Sequence, residues 1–236
     1  MGFGVKLEVW GDLAAFNRPE MKVERVSYDV MTPSAARGIL EAIYWKPQMR
    51  WVVDEIRVIN PIRFTHVRRN EISTKIPLKG STGAGTAMRA GSGRLGVSIQ
   101  EVRQQRAAMV LRDVRYGISA HVEVSADESP GSPEAKHLEM FKRRASRGQF
   151  FHHPYLGVRE FPAYFRLVEA FPPVHEELSG DVSLGFMLHD IEYVESPDGS
   201  VVESHRGRRL EAVPRFFQAT MRDGVIRIPP LSEGRA

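Results

Sequence analysis

One segment with a defined start and end constrains how this chain folds. Thr32 and Pro33 suit the N-cap and first turn of a helix, because a hydroxyl accepts a hydrogen bond from a free backbone N–H and proline lacks only an N–H that the helix does not use. Apolar residues then recur on one helical face, at Ala35, Ile39, Ala42 and Ile43. Pro47 ends the helix. The predicted helix runs from Pro33 to Lys46, and its last turn presents Tyr44 off the apolar face, either to a ligand or as cover for the edge of the core.

Strand patterns surround this helix. Residues 4–10 alternate apolar and polar side chains, and two β-rich runs at 51–59 and 62–68 are separated by Asn60-Pro61. Strand, helix, strand, turn, strand is the first half of a ferredoxin-like, or RRM-like, α+β sandwich. A second helix is predicted from Pro133 to a stop at Gly148.

The last part of the chain has shorter strand patterns. Residues 171–236 are predicted to form a small β-rich appendage, with strands at 184–193 and 215–221 and a hairpin turn at 222–224. The predicted organisation is therefore a ferredoxin-like domain over 1–170 followed by this appendage.

Composition excludes several classes of protein and site. The chain has 236 residues, of which 42% are hydrophobic, and no run approaches the roughly 20 apolar residues that a membrane helix needs. Its first residues lack a signal-peptide pattern, so we expect a cytoplasmic protein without membrane contact. Without cysteine there is no disulfide, thiolate-bound zinc or cysteine nucleophile. His152 and His153 have no third ligand at suitable spacing, so neither a metal site nor a cofactor is predicted.

The segment 68–106 concentrates positive charge. Eight cations stand against two acids, a net charge of +6, and the middle of the segment is rich in glycine. A flexible basic insert of this kind suits a polyanion that orders it on binding, and the alternative is an ordinary solvated insertion. No Gly-Lys-Ser or Gly-Lys-Thr closes the glycines, so a nucleotide P-loop is not predicted. Candidate phosphate contacts are Arg68, Arg69, Arg89, Arg94, Arg103 and Arg106 in the insert, and Lys142, Arg143, Arg144 and Arg147 on the second predicted helix.

A histidine stands on the polar face of the next predicted strand. Residues 107–111 and 115–124 are predicted to form a hairpin about a turn at 112–114. In the second strand, alternate apolar residues form the core face, whereas His121 lies on the other face beside arginine and carboxylate side chains. Such surroundings favour acid–base chemistry, although a lone histidine on a polar face is more often a surface residue.

Five short segments are distinctive when they are taken together. They are Val9-Trp10-Gly11-Asp12, Ile43-Tyr44-Trp45-Lys46-Pro47, Asp54-Glu55-Ile56-Arg57-Val58 followed by Asn60-Pro61-Ile62, Leu111-Arg112-Asp113-Val114 with Ala120-His121, and Leu156-Gly157-Val158-Arg159-Glu160. Spread over roughly the first two thirds of the chain, they resemble the fifth family of CRISPR-associated proteins in its subtype I-C (Dvulg) form, within the RAMP superfamily. Ile-Tyr-Trp-Lys-Pro before Asp-Glu is far more specific than a glycine pattern.

The resemblance implies a function as well as a fold. It implies a ferredoxin-like domain with a C-terminal β appendage, and a metal-independent endoribonuclease that cuts precursor CRISPR RNA within the repeat. Attack by the 2′-OH leaves a cyclic phosphate and a 5′-OH. The protein then stays on the 5′ handle of the mature crRNA, beside the backbone and large subunits of the type I-C surveillance complex.

The resemblance also assigns residues to this chemistry. It places a tyrosine at Tyr44 and a histidine at His121. We predict that the two act on the same phosphodiester, with His121 transferring the proton and Tyr44 positioning or assisting the attacking hydroxyl. The lysine that the family has near its histidine is missing here, because no lysine occurs between Lys79 and Lys136. An arginine, with a pKa above about 12, could supply charge there but no proton. The candidates for the cation are Arg115, Arg112 and Lys46.

Two other functions stay open at this point. The missing lysine favours a structural subunit that holds the 5′ handle without cutting it. The basic insert and the cations of the second helix favour a general nucleic-acid binder, with double-stranded DNA as a further candidate partner.

Overall fold

The computed structural model of the chain describes residues 4–21, 23–75, 77–78, 80, 83–91, 98–124, 133–195, 202–203 and 209–235. Its strands are β1 (Gly4–Ala14), β2 (Arg25–Val26), β3 (Met49–Val58), β4 (Phe64–Ile72), β5 (Arg103–Val124), β6 (Tyr164–Leu167), β7 (Asp181–Glu195), β8 (Val202–Glu203), β9 (Arg209–Arg222) and β10 (Val225–Arg227). Its helices are α1 (Pro33–Ile43), α2 (Ala84–Ala90), α3 (Ile99–Val102) and α4 (Pro133–Ser146).

The strands of the described residues belong to one ten-stranded sheet that is almost entirely antiparallel. Its central order is β6-β1-β5-β3, and the succession β1, α1, β3, β5, α4, β6 has the β-α-β-β-α-β order of ferredoxin-like folds. The predicted α+β class is therefore confirmed. None of the described helices has the length and apolar character that crossing a bilayer would require.

Helix α1 begins as its sequence predicts and ends earlier. The backbone N–H of Ala35 donates to the Thr32 hydroxyl at 3.3 Å, and Pro33 occupies the first turn. The helix ends at Ile43, and Tyr44 caps it in an extended conformation. Because helical spacing no longer applies to an extended residue, the Tyr44 side chain turns inward and is only 3% exposed. The expectation that it lies off the buried face is wrong.

The predicted hairpin at 107–124 is wrong, because β5 is one strand of 22 residues. The segment 112–114 does not turn back: Asp113 takes a positive φ of 52°, and the register with β1 skips it. Gly11 pairs with Val114 and Leu13 with Arg112, so the register is the same on both sides of Asp113 and the strand continues without reversing. The first half of β5 therefore pairs with β4, and the second half lies between β1 and β3.

The flanks of the basic insert are ordered strands. β4 and β5 pair antiparallel from Phe64 with Leu111 to Ile72 with Arg103, so the expectation of a flexible segment beginning at 68 is wrong there. Regular alternation along both flanks lets them pair as a two-stranded ribbon. Arg94 lies outside the described residues.

The C-terminal strands continue the central sheet. β10 pairs with β3 and forms a hairpin with β9 through the predicted turn at 222–224. Arg37 of α1 also donates to Asp190 of β7 at 2.7 and 2.9 Å. Burial by itself lowers the pKa of Arg37, but its hydrogen bonds and charge pairing with Asp190 and Glu41 raise it above the ordinary value. The domain boundary at 170/171 stays a prediction.

The two faces of the central strands differ in character. On one face α1 and α4 bury the core, in which the Trp51 and Phe141 rings lie 4.7 Å apart. The other face, which we call the open face, carries the alternate side chains of β1 and β5, including Lys6, Trp10 and His121. It is covered in part at Gly117, where any Cβ would meet the Phe171 ring at 2.6 Å.

Candidate nucleic-acid site

His121 on the open face is paired with a carboxylate. Its Nδ1 lies 2.8 Å from Oδ1 of Asp54. Asp54 lies on the same face as Val52, which pairs with His121, because side chains alternate along β3. The bulge between Val53 and Glu55 then turns Glu55 to this side as well. The His121 and Asp54 side chains are 38% and 48% exposed, so the pair is open to solvent. If Nδ1–H donates to Asp54, Nε2 is left as the nitrogen that can exchange a proton.

Two cavities meet at this pair. The larger, of about 970 Å³, is lined by His121 and Asp54 together with Lys6, Ser119 and Lys142. The smaller, of about 500 Å³, borders the same pair on the side of β7. Lys6 is paired with Ser119 in the β1–β5 register, two residues from His121 on the same face. A histidine–carboxylate pair and two ammonium groups therefore share one cavity.

Sequence reasoning does not find these two lysines as partners of His121. Alternation in β1 places Lys6 on a polar face, but only the β1–β5 register puts it beside His121. Lys142 is among the predicted phosphate contacts, and α4 brings it to the cavity, where its Nζ lies 3.1 Å from Oε1 of Glu139.

Tyr44 lies on the other side of the sheet. Its hydroxyl is 2.9 Å from Nδ1 of His137, which α4 buries beneath it. The Trp51 indole donates to the Tyr44 carbonyl at 2.9 Å, and Trp51 pairs with Val122 on the core face. Successive residues of a strand point to opposite faces, so His121 points away from this cluster. The structure does not bring Tyr44 and His121 together, and their catalytic roles stay predictions.

His137 is a further residue that sequence reasoning missed. It precedes Phe141 and Ala145 at four-residue spacing, and all three are buried. That periodicity is the signal that could have found it, because it places a polar imidazole on the apolar face of a helix.

The candidates for the missing cation lie elsewhere. Arg115 is six residues from His121 along β5, about 20 Å at the rise of a strand. Its Nε donates to Glu8 at 2.6 Å. Arg115, and Arg112 beyond it, are therefore wrong as partners of His121 at one phosphodiester. Lys46 is exposed after the end of α1.

The candidate phosphate contacts differ in whether their side chains already pair with other groups of the protein. Three of them are held by carboxylates: Arg69 contacts Glu160 at 3.0 Å, Arg106 contacts Glu71 at 3.6 Å, and Lys142 contacts Glu139 at 3.1 Å. Arg144 lies over the Tyr44 ring and donates to the Ile43 carbonyl. The members that are exposed, and form no ion pair with another described residue, are Arg68, Arg89, Arg103, Arg143 and Arg147. Within the described ranges no three His, Asp or Glu side chains are grouped to hold a metal ion.

Comparison with known proteins identifies relatives over almost the whole chain. Residues 4–229 match the Cas5d family model, described as CRISPR-associated protein (Cas_Cas5). A protein of Mannheimia succiniciproducens named CRISPR pre-crRNA endoribonuclease Cas5d is 47% identical over 230 residues, which cover 96% of this chain and 95% of the relative. A protein of the same name from Thermus thermophilus is 40% identical over 231 residues, covering 95% and 91%.

Solved structures share the fold. A functionally uncharacterised protein from Streptococcus mutans superposes with a TM-score of 0.64 at 22% identity, and a CRISPR-associated protein superposes with a TM-score of 0.61 at 22% identity. Each alignment covers 99% of this chain and 95% of the other chain.

Proposed function

The chain belongs to the Cas5d family of CRISPR-associated proteins, and we propose that it cuts precursor CRISPR RNA within the repeat and remains on the 5′ handle of the product. The two curated relatives carry the pre-crRNA endoribonuclease activity in their names. In this chain the observation that supports cutting is the pair of His121 and Asp54 at the border of a cavity that Lys6 and Lys142 also line.

The proposed reaction uses the 2′-OH of the substrate as its nucleophile. The 2′-oxygen forms a bond to phosphorus while the bond to the 5′-oxygen breaks, which leaves a cyclic phosphate and a 5′-OH. Such a step needs a base for the 2′-OH proton, positive charge for the phosphorane and a proton for the leaving oxygen.

His121 is the residue best placed to take the proton. Its contact with Asp54 fixes the ring and leaves Nε2 directed to other partners, and the imidazole exchanges protons near neutral pH more readily than any other side chain. Lys6 and Lys142 supply the charge that the family lysine would otherwise supply, and an ammonium, unlike an arginine, can also give its proton to the leaving oxygen.

The basic surface is proposed to hold the RNA. The exposed arginines of the β4–β5 ribbon and of α4, among them Arg68, Arg103 and Arg147, form no ion pair with another described residue and are proposed to contact phosphates. The cytoplasmic location, the membership of a type I-C surveillance complex and the binding of double-stranded DNA remain predictions from the sequence.

Cleavage of labelled repeat RNA in EDTA tests this function. We expect the wild-type chain to cut at one position and to leave a cyclic phosphate, since the nucleophile is carried by the substrate. An RNA with deoxyribose at the scissile nucleotide should bind and stay intact. Loss of cleavage in EDTA with recovery in magnesium or manganese would contradict the mechanism, and binding without any cleavage would favour the handle-holding subunit instead.

A further inference from the structure

A pair of stacked aromatic side chains lies at the far end of the open face. Trp10 of β1 pairs with Tyr164 of β6 in the sheet, and their ring centroids are 6.1 Å apart with the planes inclined by 26°. Tyr164 is 53% exposed although it is a large aromatic residue, so one side of the stack faces solvent. By position, Trp10 is six residues along β1 from Gly4, the residue paired with His121, which puts this stack about 20 Å from the proposed cleavage site.

Two arginines are fixed beside the stack by a buried carboxylate. Glu8 is buried, and its two oxygens accept from Nε of Arg115 at 2.6 Å and from Nε of Arg166 at 2.8 Å. The Arg166 guanidinium also lies 5.8 Å from the centre of the Trp10 ring, and its side chain remains largely exposed. The buried Glu8 carboxylate therefore binds both guanidinium groups beside the stack. The proposed cleavage reaction makes no use of this cluster.

A cavity of about 430 Å³ opens between Trp10 and the segment of β5 around Asp113, and Tyr164 lies outside its lining. Trp10 and the two arginines line one part of it, and the exposed carboxylates of Asp12 and Asp113 line the other. The backbone at Gly11 lies close to Leu156 and Pro162, so that a Cβ there would come within 2.9 Å of the Pro162 carbonyl and still nearer to the Leu156 side chain. The site thus joins an aromatic wall, exposed guanidinium and hydrogen-bond acceptors within one concave surface.

We propose that this cavity is a subsite for one unpaired base of the RNA, which stacks on the Trp10 ring while Arg166 contacts a neighbouring phosphate. Tyr164 supports the Trp10 ring by stacking on it from outside the cavity. Proteins that bind single-stranded RNA combine exposed aromatic rings with arginine in this way. Asp12 offers an acceptor to an amino group on the edge of the base, which a phosphate could not use. The inference rests on the proposed function and adds a binding site on the strand away from the scissile phosphate.

Abasic substitution in the RNA, combined with variants of the protein, tests the subsite. Repeat RNA carrying deoxyribose at the scissile nucleotide is used throughout, so that binding is measured without cutting. One nucleotide at a time is made abasic, and the Kd is measured for the wild type and for Tyr164→Ala. Tyr193→Ala is the matched control, because Tyr193 is 55% exposed on β7, away from the cavity.

We expect one abasic position to weaken wild-type binding by roughly 5- to 150-fold, the range for loss of one stacked base. Tyr164→Ala should lose affinity for the unmodified RNA to a similar degree, and the same abasic position should then have little further effect. Tyr193→Ala should behave as the wild type. A fluorescent 2-aminopurine at the sensitive position should be quenched by the wild type and less so by Tyr164→Ala.

If each abasic position weakened the binding of the wild type and of Tyr164→Ala by the same factor, the proposed subsite would be refuted. Unchanged RNA affinity of Tyr164→Ala would also overturn it, and would assign the rings to a protein contact. Failure of the wild-type chain to bind the unmodified repeat RNA would instead refute the proposed function together with this inference, so the two failures are distinguishable.

Discussion

Replacing Asp54 by Asn tests whether the carboxylate positions the His121 ring for proton transfer. The substitution keeps the size of the side chain and removes its charge, and the amide can bind Nδ1 either as an acceptor or as a donor. In the second case Nε2 carries the proton and cannot accept one from a 2′-OH. We therefore expect slower cleavage with RNA binding retained, because Asp54 contacts the His121 ring and is not one of the candidate phosphate contacts.

The size of the effect follows from the exposure of the pair. A hydrogen bond that involves a charged group contributes about 1.5–3 kcal/mol, which corresponds to roughly a 10- to 150-fold change in rate. His121 and Asp54 are 38% and 48% exposed, so solvent screens their interaction and the lower end applies. Asp54→Asn should slow single-turnover cleavage by about 10-fold, whereas His121→Ala removes the group itself and should cost about 10²-fold or more.

The chain offers a matched control for this experiment. Glu55 is the next residue in the same bulge and pairs with Arg57 at 3.2 Å. Glu55→Gln removes one carboxylate from the same strand without touching His121, and it should cleave close to the wild-type rate. Equal rates for Asp54→Asn and Glu55→Gln under single-turnover conditions at saturating RNA would refute the positioning role of Asp54.

Three further predictions concern other parts of the molecule. Tyr44→Phe should lower the free energy of unfolding by about 1 kcal/mol, because it removes the hydrogen bond to His137. The catalytic role implied by the resemblance also requires that Tyr44→Phe slow cleavage by about 10²-fold. Cleavage at the wild-type rate would make Tyr44 purely structural. Arg68→Ala combined with Arg103→Ala should weaken RNA binding and flatten the plot of log Kd against log salt by about one unit for each phosphate that is no longer neutralised, and an unchanged slope would show that the ribbon touches no phosphate. Burial raises the pKa of Tyr116 above its ordinary value of 10.0, so its phenol ionises at lower pH in the unfolded chain than in the folded protein. The free energy of unfolding should therefore fall as the pH rises above that value. Tyr116→Phe should reduce this fall in urea titrations at alkaline pH, and an identical fall in the variant would contradict the role of Tyr116.

Local features of the fold could be predicted from the sequence. The start of α1 depends on Thr32 and Pro33 alone, and the alternation of β1 and the turn at 222–224 are likewise short-range patterns. Each is decided by the physical chemistry of adjacent residues, with no information needed from distant ones.

Features that depend on pairing between distant strands could not be predicted from short-range sequence patterns. The segment around Asp113 resembles a turn in sequence, and only the pairing of its neighbours Arg112 and Val114 with β1 shows that the strand continues. The neighbourhood of His121 depends on the β1–β5 register for Lys6 and on the β3–β5 register for Asp54. A shift of one residue in either register would move these side chains to the opposite face, and no local pattern fixes it.

The side on which an aromatic residue lies at a helix end is a further case. Helical spacing places Tyr44 off the buried face, but the residue is extended and follows its own backbone inward. The predicted pairing of Tyr44 with His121 fails geometrically because a sheet separates them, although each segment is predicted in the correct kind of element.

The central claim is that His121 transfers a proton during attack by the 2′-OH. It is tested most directly by single-turnover cleavage of end-labelled repeat RNA in EDTA, with the wild type and His121→Ala compared at saturating protein and the binding of both measured in parallel. We expect His121→Ala to bind the RNA as tightly as the wild type and to cut it more slowly by about 10²-fold or more. Cleavage by His121→Ala at the wild-type rate would contradict the claim and would move the proton transfer to another residue.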